Sequence, residues 1–426
     1  MARSLLLLPG LLLLAPAAPA QDPPAEVTFA EHVAPILYRH CTHCHRPGTG
    51  TPLELTGYQE ASARARLLAM VTRDGFMPPY PPGGDSPAYA NLAPLAPEEV
   101  ELIARWVAGG NQPGDLAAAP PPPDHGGWPL GEPDLVVAAP EAVEVPLDAL
   151  DVVRNFVLPL ELDAPRWVRA IALEPSSGSL RRAFLWDAPR ERAAAVVADD
   201  PDSVLGLQDG LGFAAPPAFG GELLTPTAFP YPPGVARLLE PGTALVLQAV
   251  FQGTGSAETV RPRLGLYLAD SPPERRLLTV PVGSRQLELP AGEVTTVAAH
   301  LTLPAAARAV GVVPVAHRLA TRLKGWAILP DGARRTLIEI DEWDVAWASA
   351  YWLAEPIELP AGTELHAELV FDNTDGNFSQ VHFPPQDVGF GLHPAQERAA
   401  IDVVLTVAGE PEAKTLRDAW AADHSP

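Results

Sequence analysis

Cys41-Thr42-His43-Cys44-His45 sets two thiols three residues apart, with an imidazole directly after the second. At this spacing both sulfurs can add across the two vinyl groups of one heme, and the adjacent histidine can reach the iron as proximal ligand. Cys41 and Cys44 are the only cysteines in the chain, so no disulfide framework exists. The other readings of the motif are a redox CxxC, a partial zinc site or chance. A zinc site would need two more ligands, and no second cysteine pair supplies them. A thioredoxin-like site would need βαβ surroundings, which the flanking sequence lacks. One heme c is therefore expected, with Cys41 and Cys44 as attachment points and His45 on the iron.

A sixth ligand should lie beyond the next helix, on a segment that folds back over the iron. Met77 stands there, in Gly75-Phe76-Met77-Pro78-Pro79-Tyr80. The prolines hold the backbone extended, which can aim a thioether. This stretch resembles the distal-methionine loop of class I c-type cytochromes, and methionine ligation implies a higher potential than a second histidine. Met70, inside the expected helix, is the alternative methionine, and core filling is the plain alternative for Met77. His40 and His43 read as surface residues, and His32 as a weak competitor.

Helices are expected to carry these residues. Thr28 with Glu31 has capping-box spacing, and Phe29, Val33, Ile36, Leu37 and His40 recur at helical intervals. Pro35 must kink that helix or reset its start. A second helix is expected over Glu60 to Arg73, stopping at Gly75. A third runs from Pro97 to Gly109-Gly110, with Val100, Ile103, Trp106 and Val107 on its apolar face. Residues 116–130, with four consecutive prolines from Pro120 to Pro123, read as a linker. Beyond 131 the period falls to two. Strands are expected at Trp167–Leu173, Ala244–Gln252, Leu264–Ala269, Leu277–Val282, Thr336–Ile340 and Leu365–Phe371, punctuated by Pro and Gly turns.

Composition agrees with a folded, exported, β-rich protein. The chain has 426 residues and is 47% hydrophobic, enough for several cores. Its 51 prolines disfavour long helices. Acidic residues number 52 against 29 basic ones, a net charge of −23. That argues against nucleic acid and anionic lipid as partners, and favours a basic redox partner protein. Arg3, the apolar run Leu5 to Leu14, and Ala18-Pro19-Ala20 read as a signal peptide over 1–20, cut after Ala20. No later segment is apolar for long enough to span a bilayer. The mature chain is expected in the periplasm or outside the cell.

The β region resembles a known family. Gly131-Glu132-Pro133-Asp134-Leu135, Trp167-Val168-Arg169-Ala170 and Gly242-Thr243-Ala244-Leu245-Val246-Leu247-Gln248 match in order. So do Trp343-Asp344 with Trp347 and Tyr351, and Asp372-Asn373 with Asn377. Residues 131–410 resemble the copper type II, ascorbate-dependent monooxygenases, the peptidylglycine α-hydroxylating and dopamine β-monooxygenase group, here following a cytochrome c domain. The resemblance implies two jelly-roll-like sandwiches, each holding one copper across a solvent gap. It does not carry the ligands over. Where the family has a His-His pair and a later histidine, this chain aligns Arg181-Arg182 and Val250. Where it has His-x-His and a methionine, this chain has Val315, Ala316 and His317 after Pro314, and Arg398 after Glu397. Only His317 keeps a ligand-type residue, and arginine offers no lone pair to a metal. Copper is therefore not expected. A relocated site from His317, His366, His382 and His393 is the remaining metal option.

Other constellations are weak. Asp372 to Asn377 loosely suggests a calcium loop but lacks its glutamate. Arg181-Arg182 is compatible with an anion or acidic partner, or with a solvated strand end. Trp343, Trp347 and Trp352 suit either a carbohydrate platform or core packing.

The expected fold is multidomain: an N-terminal all-α cytochrome c domain at 22–115, a linker at 116–130, and two all-β sandwiches at 131–275 and 276–410, with a tail at 411–426. The expected function is electron transfer by one heme, with the sandwiches as a binding or scaffolding region. Two readings stay open: a copper monooxygenase fed by its own heme, and a heme redox sensor with a carbohydrate- or protein-binding module.

Overall fold

The computed structural model describes residues 26–47, 53–92, 94–124, 127–149, 152–158, 160–174, 177–199, 222–224, 230–391 and 395–423. The expected signal peptide and His393 lie outside them. The chain is mostly β, with 39% of residues in strands and 17% in helices. This corrects the expectation of an all-α cytochrome c domain. The N-terminal part is a small helical start, built from a π-helical turn Phe29–Val33 and helices Ala34–His40, Tyr58–Ala63, Ala65–Arg73 and Pro97–Ala108. Each is 12 residues or shorter, below the length at which an isolated helix is stable in water. They hold together through a shared cluster of Phe29, Val33, Leu37, Leu55, Leu68, Ile103 and Trp106.

Local chemistry explains how these helices depart from expectation. Thr28 makes no side-chain cap; instead its backbone N–H donates to Nδ1 of His32 at 3.2 Å. Pro35 sits in the first turn of Ala34–His40, where its missing N–H costs nothing, so it resets the helix. The single helix expected over Glu60–Arg73 breaks at Arg64.

The segment from Gly83 to Asn91 belongs to neither the helices nor a loop free in solvent. It lies across the edge strands Arg334–Ile340 and Tyr351–Leu359. Gly83 N–H donates to the Glu339 carbonyl at 2.8 Å, and Ala90 N–H to the Trp352 carbonyl at 2.7 Å. Ala354 N–H returns a bond to the Ala88 carbonyl at 2.9 Å. Tyr89 donates its hydroxyl to the Leu337 carbonyl at 2.8 Å and packs at a tilt against Tyr351, with ring centroids 5.2 Å apart. Exposed edges invite pairing with foreign chains, and this strap covers two of them. It also links the chain after the helices Tyr58–Ala63 and Ala65–Arg73 to the β body.

One eight-stranded sheet runs the length of the β body. Its order is Leu135–Ala138, Arg263–Leu268, Arg166–Leu173, Val235–Leu239, Arg275–Ser284, Ala399–Val407, Ala307–Val315 and Tyr351–Leu359. The halves join where Val235 and Ala236 pair in parallel with Arg275 and Arg276. A four-stranded sheet packs on each half. One is Val152–Leu158, Thr243–Phe251, Leu180–Pro189 and Glu222–Leu224; the other is Val294–Thr302, Glu364–Asp372, Ala320–Ile328 and Arg334–Ile340. The expectation of two separate sandwiches is thus corrected to two halves sharing a sheet. They share a core as well: Phe184, Trp186 and Val246 of the first half cluster with Val280, Val312 and Val403 of the second. Asp187 and Arg237, a buried ion pair at 3.0 Å, lie in the first half.

Candidate heme site and the cleft between the halves

The Cys41–His45 segment follows directly on helix Ala34–His40. Cys41 N–H closes that helix on the Leu37 carbonyl at 2.8 Å, and His45 N–H bonds the Cys41 carbonyl at 2.8 Å, so the motif is one tight turn. Neither cysteine is in a disulfide. Cys41 is half-buried against the helical cluster, and burial, with Cys44 and Glu99 nearby, pushes its thiol up to about 12. Cys44 is exposed. His45 is half-buried, and its Nδ1 lies 3.0 Å from the Leu53 carbonyl oxygen. A carbonyl only accepts, so Nδ1 carries the proton and the neutral ring keeps its lone pair on Nε2. Burial lowers the imidazole pKa, which keeps that ring neutral. Sequence reasoning did not find Leu53, because a backbone carbonyl leaves no residue signature.

The donor set fits a covalently attached heme. Two thiols outside any disulfide and a neutral imidazole with Nδ1 anchored are what thioether attachment and iron ligation would require. Leu67, Met70 and Phe76, on helix Ala65–Arg73 and the turn after it, leave 38%, 46% and 58% of their surface exposed. These are apolar areas that a porphyrin face can cover.

Met77 is on that turn, half-buried, with its N–H on the Val71 carbonyl at 3.0 Å. Gly75 takes φ +71° to start the turn, a conformation glycine adopts without strain. Phe76 meets Trp347 edge-on, centroids 6.3 Å apart, so the Met77 turn rests on the second half of the β body. His40 is held by Glu99 at 3.2 Å, and Arg39 by the same carboxylate at 3.1 Å. His32 is occupied by the Thr28 N–H.

Of the positions that aligned with copper ligands, Arg182, Val250 and His317 line one cleft between the two halves, as does Ala316, while Arg181, Val315 and Arg398 are not among its lining residues. Arg182 and Val250 are cross-strand partners, and Ala316 and His317 follow strand Ala307–Val315. This donor set does not fit copper, because one imidazole beside guanidiniums cannot form a nitrogen and sulfur shell. His317 Nδ1 lies 2.8 Å from the Gln396 carbonyl, and its backbone N–H donates to Glu397 at 2.8 Å. Arg398 sits over the Phe184 ring at 5.7 Å. His366 stacks on Trp326 and His300 at 5.1 and 5.7 Å, and His382 lies on the loop after Asn377. Among the described residues no group of three His, Cys, Asp or Glu is placed to hold a metal ion.

The weaker constellations resolve into packing. Asn373 is buried and donates to the carbonyls of Leu289, Pro290 and Gln386, so its side chain supports the turn. Trp343 and Trp352 are buried and Trp347 packs on Phe76, so they form no exposed platform.

No protein-family model matches the chain, and no curated protein matches it. Among solved structures, the VP2 subviral particle of infectious bursal disease virus aligns over 66% of this chain and 74% of its own, with 10% identity and a TM-score of 0.20. A Paenibacillus xanthan lyase aligns over 67% of this chain and 28% of its own, with 12% identity and a TM-score of 0.18. The PBCV-1 virus capsid aligns over 64% and 92%, with 9% identity and a TM-score of 0.20. Likeness this slight assigns neither a family nor a function.

Proposed function

We propose that this chain is an exported electron-transfer protein carrying one covalent heme c in its helical start. The observation that carries the reading is the Cys41–His45 turn, with two thiols outside any disulfide beside an imidazole whose Nδ1–H is committed to Leu53. Each thiol S–H would add across one vinyl double bond, so attachment would consume no external oxidant. The heme iron, when bound, supplies a one-electron couple. His45 would hold the iron through Nε2, and Met77 would hold it through its thioether from the turn after Ala65–Arg73. The hydrogen bond to Leu53 orients the imidazole and raises its basicity. Phe76 and the helical cluster keep that surface apolar.

The net charge of −23 suits docking on a basic redox protein. The signal-like N-terminus supports export, where c-type heme attachment takes place. The β body acts as scaffold and binding region. The test is a redox titration of the chain matured in a periplasm, followed by heme absorbance. A single one-electron wave with one heme per chain supports the proposal. A colourless chain from cells that mature other c-type cytochromes would contradict it.

A further inference from the structure

Strand Val294–Thr302 forms one edge of the four-stranded sheet on the second half. It is nine residues long, and its pairing with Glu364–Asp372 is unbroken from Val294 opposite Asp372 to Thr302 opposite Glu364. At its two ends, Asn373 N–H donates to the Glu293 carbonyl at 2.9 Å, and Leu303 N–H to the Thr363 carbonyl at 2.8 Å. Antiparallel bonding alternates along a strand, so the odd-numbered residues between these bonds face Glu364–Asp372. Val294, Thr296, Ala298, His300 and Thr302 turn their N–H and C=O groups outward, where no strand pairs with them among the described residues. Their side chains are exposed as well.

Folded proteins guard open edges with charge, proline, a bulge or a cover. The other long edges follow that rule. Arg334–Ile340 lies under the strap, Val152–Leu158 carries Arg154, and Tyr351–Leu359 carries Glu355, Pro356 and Glu358. Val294–Thr302 has no Asp, Glu, Lys, Arg or Pro and no bulge. Its pattern fits a copy of itself. Set antiparallel about Ala298, every outward residue meets an outward residue: Val294 faces the partner's Thr302, Thr296 the partner's His300, and Ala298 its twin. The outward groups then form about ten backbone hydrogen bonds, the number of direct bonds in a typical interface. The net charge of −23 is no obstacle at this seam. Glu364 and Glu368 stand one strand behind the edge, so about 14 Å of sheet would separate their strand from its twin. That exceeds the screening length of about 8 Å at physiological salt.

We propose that Val294–Thr302 pairs antiparallel with the same strand of a second copy of this chain, joining the two four-stranded sheets across a two-fold axis at Ala298. The strand lies in the β body, so the inference does not rest on the heme.

Sedimentation velocity of the full mature chain, from low to high micromolar concentration, tests the pairing. The expected result is a monomer that converts to a dimer as concentration rises. Residue-resolved hydrogen exchange locates the interface. The amides of Thr296, Ala298 and His300 should gain protection with concentration, while those of Val297 and Ala299 should not change. Ala298→Pro removes an outward N–H, which an edge strand tolerates. It deletes both bonds at the axis and should raise the dissociation constant about thirtyfold. In Ala298→Lys the ammonium lies opposite Glu368 in its own sheet but meets its twin across the axis, so this change should also weaken the dimer. Thermal unfolding checks that each variant is folded; if Ala298→Pro is not, Ala298→Lys decides. A chain that stays monomeric throughout, a dimer of unchanged affinity in a folded variant, or outward amides that gain no protection in the dimer would overturn the proposal.

Discussion

Tyr89 is the side chain on which the strap from Gly83 to Asn91 depends most. Only 5% of its surface is exposed, its hydroxyl donates to Leu337 at 2.8 Å, and its ring packs on Tyr351 at 5.2 Å. Tyr89→Phe keeps the ring and strands one buried carbonyl, so it should cost about 1–2 kcal/mol. Tyr89→Ala removes the ring as well and leaves a cavity against Tyr351, so it should cost about 3–5 kcal/mol. Urea unfolding of the mature chain, followed by tryptophan fluorescence, measures both. Hydrogen exchange adds a local readout, because the amides of Ala90 and Ala354 close the strap onto the edge strand. Both should exchange faster in Tyr89→Ala. If Tyr89→Ala costs no more than a surface substitution, about 0.5 kcal/mol, and those amides stay protected, the strap does not join the helical start to the β body.

Buried charges and the Met77 turn set three further expected outcomes. Asp402 is buried, one of its oxygens has no hydrogen-bond partner, and burial raises its pKa to about 6, with Arg398 opposing the shift. The folded chain then holds a proton that the unfolded chain releases, so this group's stabilisation is present below the unfolded pKa and fades as pH rises through about 6. Denaturation of wild type and Asp402→Asn should show the wild type losing on the order of 3 kcal/mol relative to the variant between about pH 4 and pH 8. Arg237→Met strands the Asp187 carboxylate in the core and should cost about 3–5 kcal/mol in urea unfolding, whereas the double change Asp187→Leu, Arg237→Met should cost less. Met77→His should lower the heme midpoint potential by on the order of 0.1 V in a redox titration, since axial ligands set it over a range of about 0.8 V; an unchanged potential would remove Met77 from the iron.

The elements with strong local periodicity were legible in the sequence. Pro97–Ala108 begins on its proline and ends before its glycine, and strands such as Arg166–Leu173 and Glu364–Asp372 lie within two residues of expectation. The Cys41–His45 motif is legible because its five residues are contiguous. What escaped depends on partners far along the chain. Gly83 to Asn91 is rich in turn-forming residues and reads as a loop, yet its bonds go to strands about 250 residues later. The parallel pairing of Val235 with Arg275, which merges the two halves, has no periodic signal. Nor does the Asp187–Arg237 pair, whose members alternate with apolar neighbours on separate strands. The all-α expectation failed for the same reason. Helical spacing between 28 and 108 is a local property, while the strap's docking on the β body is set by edge strands that local pattern does not reveal.

The central claim is tested most directly by the mass of the denatured chain after maturation in a periplasm that attaches c-type heme. Wild type should appear as the mature polypeptide plus one heme that survives denaturation, and the double substitution Cys41→Ala, Cys44→Ala as the bare polypeptide. A wild-type chain at the bare polypeptide mass, or one that sheds its heme on unfolding, would contradict covalent attachment at the Cys41–His45 turn.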